Sequence, residues 1–175
     1  VEGMRVTDSE MVKIVQMVLS GDVNKRIVNA LLLEGVGAVG FSGIDGNLFT
    51  ASRMFMRGLD IGFVGKIERV NTDLIKTCHS NKYVPVISPI SRDESGSIYN
   101  VNADLAASEL AMALKADDLI FVSDVPGVLV DDNVRREIRT SEIEDLIKQG
   151  HITGGMIPKL RSASEAVQKG VKRVH

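Results

Sequence analysis

The chain has 175 residues, 44% hydrophobic and 25% charged, with 16 Gly and 4 Pro; this is the composition of a soluble globular protein with a sizeable core, and it excludes a disordered or collagen-like chain. Its 21 basic residues against 23 acidic ones leave a net charge of -2, and aromatic residues reach 4% with no Trp. A generic nucleic-acid-binding role is excluded, since neither a global positive field for a polyanion nor a set of stacking platforms for single strands is present.

In chain order, Thr7-Asp8-Ser9-Glu10 has capping-box spacing with Thr7 as the cap, and it opens an apolar pattern at Met11, Val12, Ile14, Val15, Val18 and Leu19. That pattern predicts a helix closed at Gly21. Val23, Ile27, Val28, Ala30, Leu31 and Leu32 predict a second helix running to Gly35, and Val36 to Phe41 reads as a buried strand. Ser42-Gly43-Ile44-Asp45-Gly46-Asn47 is turn chemistry, predicting a hairpin into Leu48-Phe49-Thr50. Residues 61–70 read as a further hairpin strand, and Asn71 caps a short helix ending near Lys82. Tyr83 to Ile90 reads as a strand, Asp93 to Ser97 as a polar turn, Asn102 to Ala116 as a helix and Asp118 to Val122 as a strand. A charged excursion passes through Arg139, a helix runs from Thr140 or Ser141 to Lys148, and Gly154-Gly155 leads into a helix from about Met156 to Lys169. Gly170 closes it before a last strand. The alternation predicts an α/β fold with a largely parallel sheet, and residues 1–175 read as a single domain.

One cysteine, Cys78, forms no intrachain disulfide, and His79, His151 and His175 show no zinc-ligand spacing. Neither an 18-residue apolar run nor a signal-peptide pattern is present, which predicts a cytoplasmic setting with no membrane partner. The chain opens on Val1 and stops within Val171-Lys172-Arg173-Val174-His175, the first half of a strand; the expectation is a piece truncated at both ends.

Four places join loop glycines to charged or amide side chains, where open α/β sheets bind ligands. Arg5, in Gly3-Met4-Arg5-Val6-Thr7, suits a carboxylate or phosphate, and the local sequence fits a surface Arg equally well. Asn100, Asn102 and Asp104 put three polar groups at a helix start, more than capping requires. Ser123-Asp124-Val125-Pro126-Gly127-Val128 ends a strand with a hydroxyl and a carboxylate suited to a ribose, or simply turns the chain. Thr153-Gly154-Gly155-Met156-Ile157-Pro158-Lys159 enters a helix with glycine amides and a Lys suited to phosphate, although a plain helix start explains it as well. Gly35-x-Gly37-x-x-Gly40 precedes a strand and does not follow one, so it reads as packing and not as a dinucleotide fingerprint.

Together with Asn24-Lys25 and Ser42-Gly43-Ile44-Asp45-Gly46-Asn47-Leu48, these motifs resemble, in order and over essentially the whole chain, the N-acetylglutamate kinase branch of the amino acid kinase family. The resemblance implies a three-layer α/β/α sandwich with a mainly parallel central sheet. It also implies ATP-dependent phosphorylation of the side-chain carboxylate of N-acetyl-L-glutamate in arginine biosynthesis, with Mg2+ held mainly by the phosphates, in a homodimer or higher homo-oligomer. Carried over by position, it implies that Arg5 and Asn100 hold the substrate's α-carboxylate, Asp104 organises the catalytic lysines and Lys159 stabilises the transferring phosphoryl group. The nucleotide is then bordered by Ser123, Asp124, Val125, Pro126, Gly127, Val128 and Leu129 and by His151, Ile152 and Thr153. Ile44 departs from the family's pattern, which has Lys there. The family's glycine-rich lysine loop would lie before Val1, which implies an inactive isolated chain. Glutamate, aspartate, carbamate and uridylate kinases are the alternatives within the fold, and a non-catalytic regulatory module is the alternative outside enzymology.

Overall fold

A computed structural model of the chain describes residues 7–56, 58–130 and 133–175. It divides into two units, one reaching Ala106 and one spanning Ala107 to His175.

The first unit opens with helix α1 (Ser9–Gln16), which continues through a π-helical stretch (Met17–Val23) into α2 (Asn24–Leu33). The cap is Asp8 and not Thr7: its carboxylate accepts from the Glu10 and Met11 amides at 3.0 and 2.7 Å, while Thr7 is taken up by backbone pairing beside Gly62. Gly21 does not close the helix. The π stretch inserts an extra residue and places Ser20 and Asn24, four apart, toward the same neighbours. Ser20 Oγ lies 2.7 Å from Ser88 Oγ, and the Asn24 amide reaches two strand carbonyls.

Strand β1 (Ala38–Ser42) makes no hairpin with β2 (Phe49–Met56). The Asp45 carboxylate accepts from both the amide and the hydroxyl of Ser42 at 2.7 Å, which bends the chain away. β1 pairs instead in parallel with β4 (Val84–Ser88), from Ala38 opposite Val84 to Ser42 opposite Ser88. β2 pairs antiparallel with β3 (Leu59–Val70), followed by α3 (Asp73–Ser80); its N-cap is Thr72 and not Asn71, which stands one residue ahead and accepts from the Asp73 amide through Oδ1 at 3.1 Å. β5 (Ile90–Arg92) and β6 (Ile98–Val101) close a small mixed sheet in the order β2-β3-β6-β5. Phe49, Ala51, Val64, Ile67, Ile90, Tyr99 and Val101 are buried in these strands, and each large apolar side chain so buried contributes about 1.5–3 kcal/mol.

Helix α4 (Ala103–Leu114) leads to the second unit's parallel pair, β7 (Asp118–Leu119) with β10 (Arg173–Val174). Between them come a short antiparallel pair, β8 (Leu129–Val130) with β9 (Asn133–Val134), where only a charged excursion was expected, then α5 (Ile143–Lys148) and α6 (Met156–Gln168). Ala111, Leu119, Ala166 and Val171 form the core of this unit. The buried hydroxyls of Ser108 and Ser162 meet at 2.6 Å and tie α4 to α6. Helices alternating with parallel strand pairs make the fold α/β.

Candidate active site

In the first unit the motif residues divide by what the fold asks of them. Asn102 is the cap of α4, its Oδ1 accepting from the Leu105 amide at 3.1 Å. Asn100, on β6, takes no part in that cap. Asn100 sits on β6 between Val64 of β3 and Ile90 of β5. Its neighbours Tyr99 and Val101 point into the core, so the strand alternation turns Asn100 to the other, half-buried face. Asp104 is half-buried in the first turn of α4. Arg5 lies outside the described residues.

Asn24 is 2% exposed. Its Nδ2 donates to the carbonyls of Phe41 and Val86 at 3.0 and 2.9 Å, and its Oδ1 accepts from Lys25 Nζ at 3.1 Å, which also donates to Gly40 O. The amide thus fastens α2 to both strands of the parallel pair. A Cβ on Gly40 would lie 1.9 Å from Asn24 Oδ1, which bears out the packing reading of this glycine. Gly43 is excluded from side chains in the same way, with Phe49 Cδ2 at 2.4 Å and Ile90 O at 2.7 Å from any added Cβ. Ile44 is half-buried just before the Asp45 turn.

In the second unit, Lys159 belongs to the opening turns of α6 and is half-buried. Its Nζ stands 4.9 Å from the centroid of the Phe121 ring. Gly155 caps α6 with no side-chain hydrogen bond; the Met156 and Ile157 amides donate to the Thr153 and Gly154 carbonyls at 3.2 and 3.3 Å, and Pro158 brings no amide hydrogen. Past β7, Val122 is 91% exposed, and Ser123, Asp124, Val125 and Pro126 are exposed as well. Ser123 Oγ donates to Asp124 Oδ1 at a long 3.4 Å. Gly127 and Val128 are half-buried and Leu129 is exposed in β8. The second predicted segment is mixed: His151 is half-buried and Thr153 exposed, while the Ile152 side chain is 2% exposed and belongs to the core.

Two features escaped the sequence reading. The Phe121 ring under Lys159 read only as a strand residue, although an aromatic just ahead of Ser123-Asp124 was the available signal. The Asp118 carboxylate accepts from Arg173 Nε and an Arg173 terminal nitrogen at 2.7 and 2.9 Å, with His175 Nε2 at 3.1 Å. Arg173 foremost, then His175, pulls the Asp118 carboxyl down to about 2. Likewise the Arg161 guanidinium on Glu144 holds that carboxyl below its usual range and joins α5 to α6.

The amino acid kinase family model matches residues 1–175. The chain belongs to the amino acid kinase family. Among curated members it is similar to the acetylglutamate kinase of Methanopyrus kandleri, 43% identical over 98% of this chain and 73% of that one. It is also similar to the acetylglutamate kinase of Aquifex aeolicus, 48% identical over 100% of this chain and 64% of that one. Among solved structures, N-acetylglutamate synthase from Neisseria gonorrhoeae, complexed with coenzyme A and N-acetyl-glutamate, superposes with a TM-score of 0.87 at 25% identity, covering 99% of this chain and 40% of that one. The chain spans between 61% and 73% of the length of the curated relatives it matches.

Proposed function

We propose that the chain carries acceptor-binding and nucleotide-binding residues of an acetylglutamate kinase. The observation that carries this reading is the 43–48% identity to curated acetylglutamate kinases over nearly the whole chain. In the reaction, a side-chain carboxylate oxygen of N-acetyl-L-glutamate bonds to the γ-phosphorus of ATP while the bond to the β,γ-bridging oxygen breaks, giving an acyl phosphate and ADP. A carboxylate with a pKa of about 4 is already ionised at neutral pH, so no general base is needed, and catalysis consists of positioning and charge neutralisation.

The residues fit those tasks. Asn100, released from capping, donates its amide hydrogens to the substrate's α-carboxylate, with Arg5 as the second partner. Asp104 orders the cations. Lys159 places charge where the transferring phosphoryl group develops it. The glycine amides of Gly154 and Gly155 ahead of α6 suit phosphate oxygens, and the stretch from Ser123 to Leu129, exposed as far as Pro126 and half-buried at Gly127 and Val128, borders the nucleotide with His151 and Thr153. Mg2+ would be held mainly by the phosphate oxygens, supplying neutralising charge. The working enzyme is a homo-oligomer.

A hydroxamate-trapping assay on the complete gene product, with N-acetyl-L-glutamate, L-glutamate and L-aspartate as acceptors, tests the reading. Preferential ATP-dependent product from N-acetyl-L-glutamate is expected; preference for a free amino acid would move the chain to another branch of the family. The Neisseria synthase, in which the same fold occurs, favours a non-catalytic binding unit as the second reading, and N-acetyl-L-glutamate binding without turnover would select it.

A further inference from the structure

We propose that Phe121 is a positioning residue for Lys159, its ring face holding the ammonium aligned for the transferring phosphoryl group; this rests on the reading of Lys159 above. A lysine is a compact charge on a four-carbon stem with many rotamers, so a lysine that stabilises a transition state gains from a surface that narrows its choices. The Phe121 ring supplies that surface. The Nζ-to-centroid distance of 4.9 Å lies within the range of about 6 Å over which a ring quadrupole attracts a cation.

The ring itself is firmly seated. Phe121 packs against the core cluster of Ala111, Leu119, Ala166 and Val171, and its amide donates to His175 O at 2.8 Å, beside the β7–β10 pair. Its neighbours Ile120 and Val122 are 67% and 91% exposed. Of the three, Phe121 alone turns its side chain inward, toward α6. Because Ser123 and Asp124 follow directly, one strand end places both the lysine's platform and the segment assigned to the nucleotide. An aliphatic side chain at 121 fills most of the same core volume but presents no quadrupole to the ammonium.

The test compares Phe121→Leu, Phe121→Tyr and Lys159→Ala in the complete gene product by steady-state kinetics, together with the NMR shift of the Lys159 ε-methylene protons. The inference predicts that Phe121→Leu lowers kcat about three- to tenfold with both KM values within about twofold, and that Phe121→Tyr keeps kcat within about twofold of the parent. It also predicts a ring-current upfield shift of the ε-methylene protons that Leu abolishes and Tyr retains. Unchanged turnover in Phe121→Leu, equal damage from Tyr and Leu, or a loss residing in KM overturns it. If Phe121→Leu does not fold, the Tyr kinetics and the parent's ε-methylene shift decide: a damaged Tyr variant or an unshifted parent signal overturns the inference. Lys159→Ala separates the two layers. Full activity there removes the role of Lys159 and the inference with it, whereas a Lys159→Ala collapse beside an intact Phe121→Leu removes the inference alone.

Discussion

The polar motifs of the first unit are largely consumed by the chain itself, whereas the Ser123–Pro126 stretch of the second is exposed. Asn24 spends its amide on two strand carbonyls and a lysine, Asp45 spends its carboxylate on Ser42, and Asn102 caps a helix. In the second unit, Ser123 to Pro126 are exposed, and the bond from Ser123 to Asp124 is long at 3.4 Å. Motif residues of equal prominence in the sequence therefore do two jobs, and burial with satisfied hydrogen bonds separates them. Framework polar groups stabilise the fold; open ones remain available to a ligand.

The largest effect is expected at Lys159. Lys159→Ala should lower kcat at least about 100-fold, corresponding to roughly 3 kcal/mol of barrier, with both KM values little changed and the thermal midpoint near that of the parent. A fall in stability with turnover retained would move Lys159 to the framework side.

Next comes Asn24. Asn24→Ala strands two buried carbonyls and should cost roughly 2–3 kcal/mol of unfolding free energy in a denaturant titration. A loss of activity at unchanged stability would show that this amide serves a ligand after all.

A smaller effect belongs to acid. The Asp118 carboxyl, held at about 2 in the fold by Arg173 and then His175, has an unfolded value near about 3.9. A pKa depressed by folding means stabilisation present above about pH 4 and lost as the pH falls toward 2. Asp118→Asn should therefore flatten the stability curve in that window and nowhere above it; a parent-like curve would show that the clasp is not formed in solution.

Smallest is Ser91, 0% exposed with an Oγ that has no hydrogen-bond partner among the described residues. Ser91→Ala should be neutral or stabilising by up to about 1 kcal/mol, since only an unsatisfied group is removed. A marked fall in thermal midpoint would contradict that.

Much of this was legible in the sequence because its signals are local. Gly35 and Gly170 mark helix ends, Asn71 and Asn102 lie at helix starts, and the apolar run before Ser42 gives a strand. The cap at Asp8 was misplaced by one residue because Thr7 has the same chemistry, and what removes Thr7 is a backbone partner more than 50 positions away, at Gly62. Long-range pairing explains the other misses. Asp45-Gly46 looks like a hairpin turn, yet β1 finds β4, and β2 is claimed by β3 and β5. Gly21 looks like a helix end, yet the contacts of Ser20 and Asn24 carry the helix on through a π stretch. For the site, residue types and order were legible, whereas the framework role of Asn24 and the ring beneath Lys159 depend on what folding brings alongside them.

The most direct test of the division is the acceptor kinetics of Asn100→Ala in the complete gene product. The account predicts a KM for N-acetyl-L-glutamate raised at least about tenfold, the loss of one strong carboxylate contact, with the KM for ATP and the thermal midpoint unchanged. An unchanged acceptor KM, or a loss that falls on stability instead, would place Asn100 with the framework and contradict the assignment of the acceptor to the first unit.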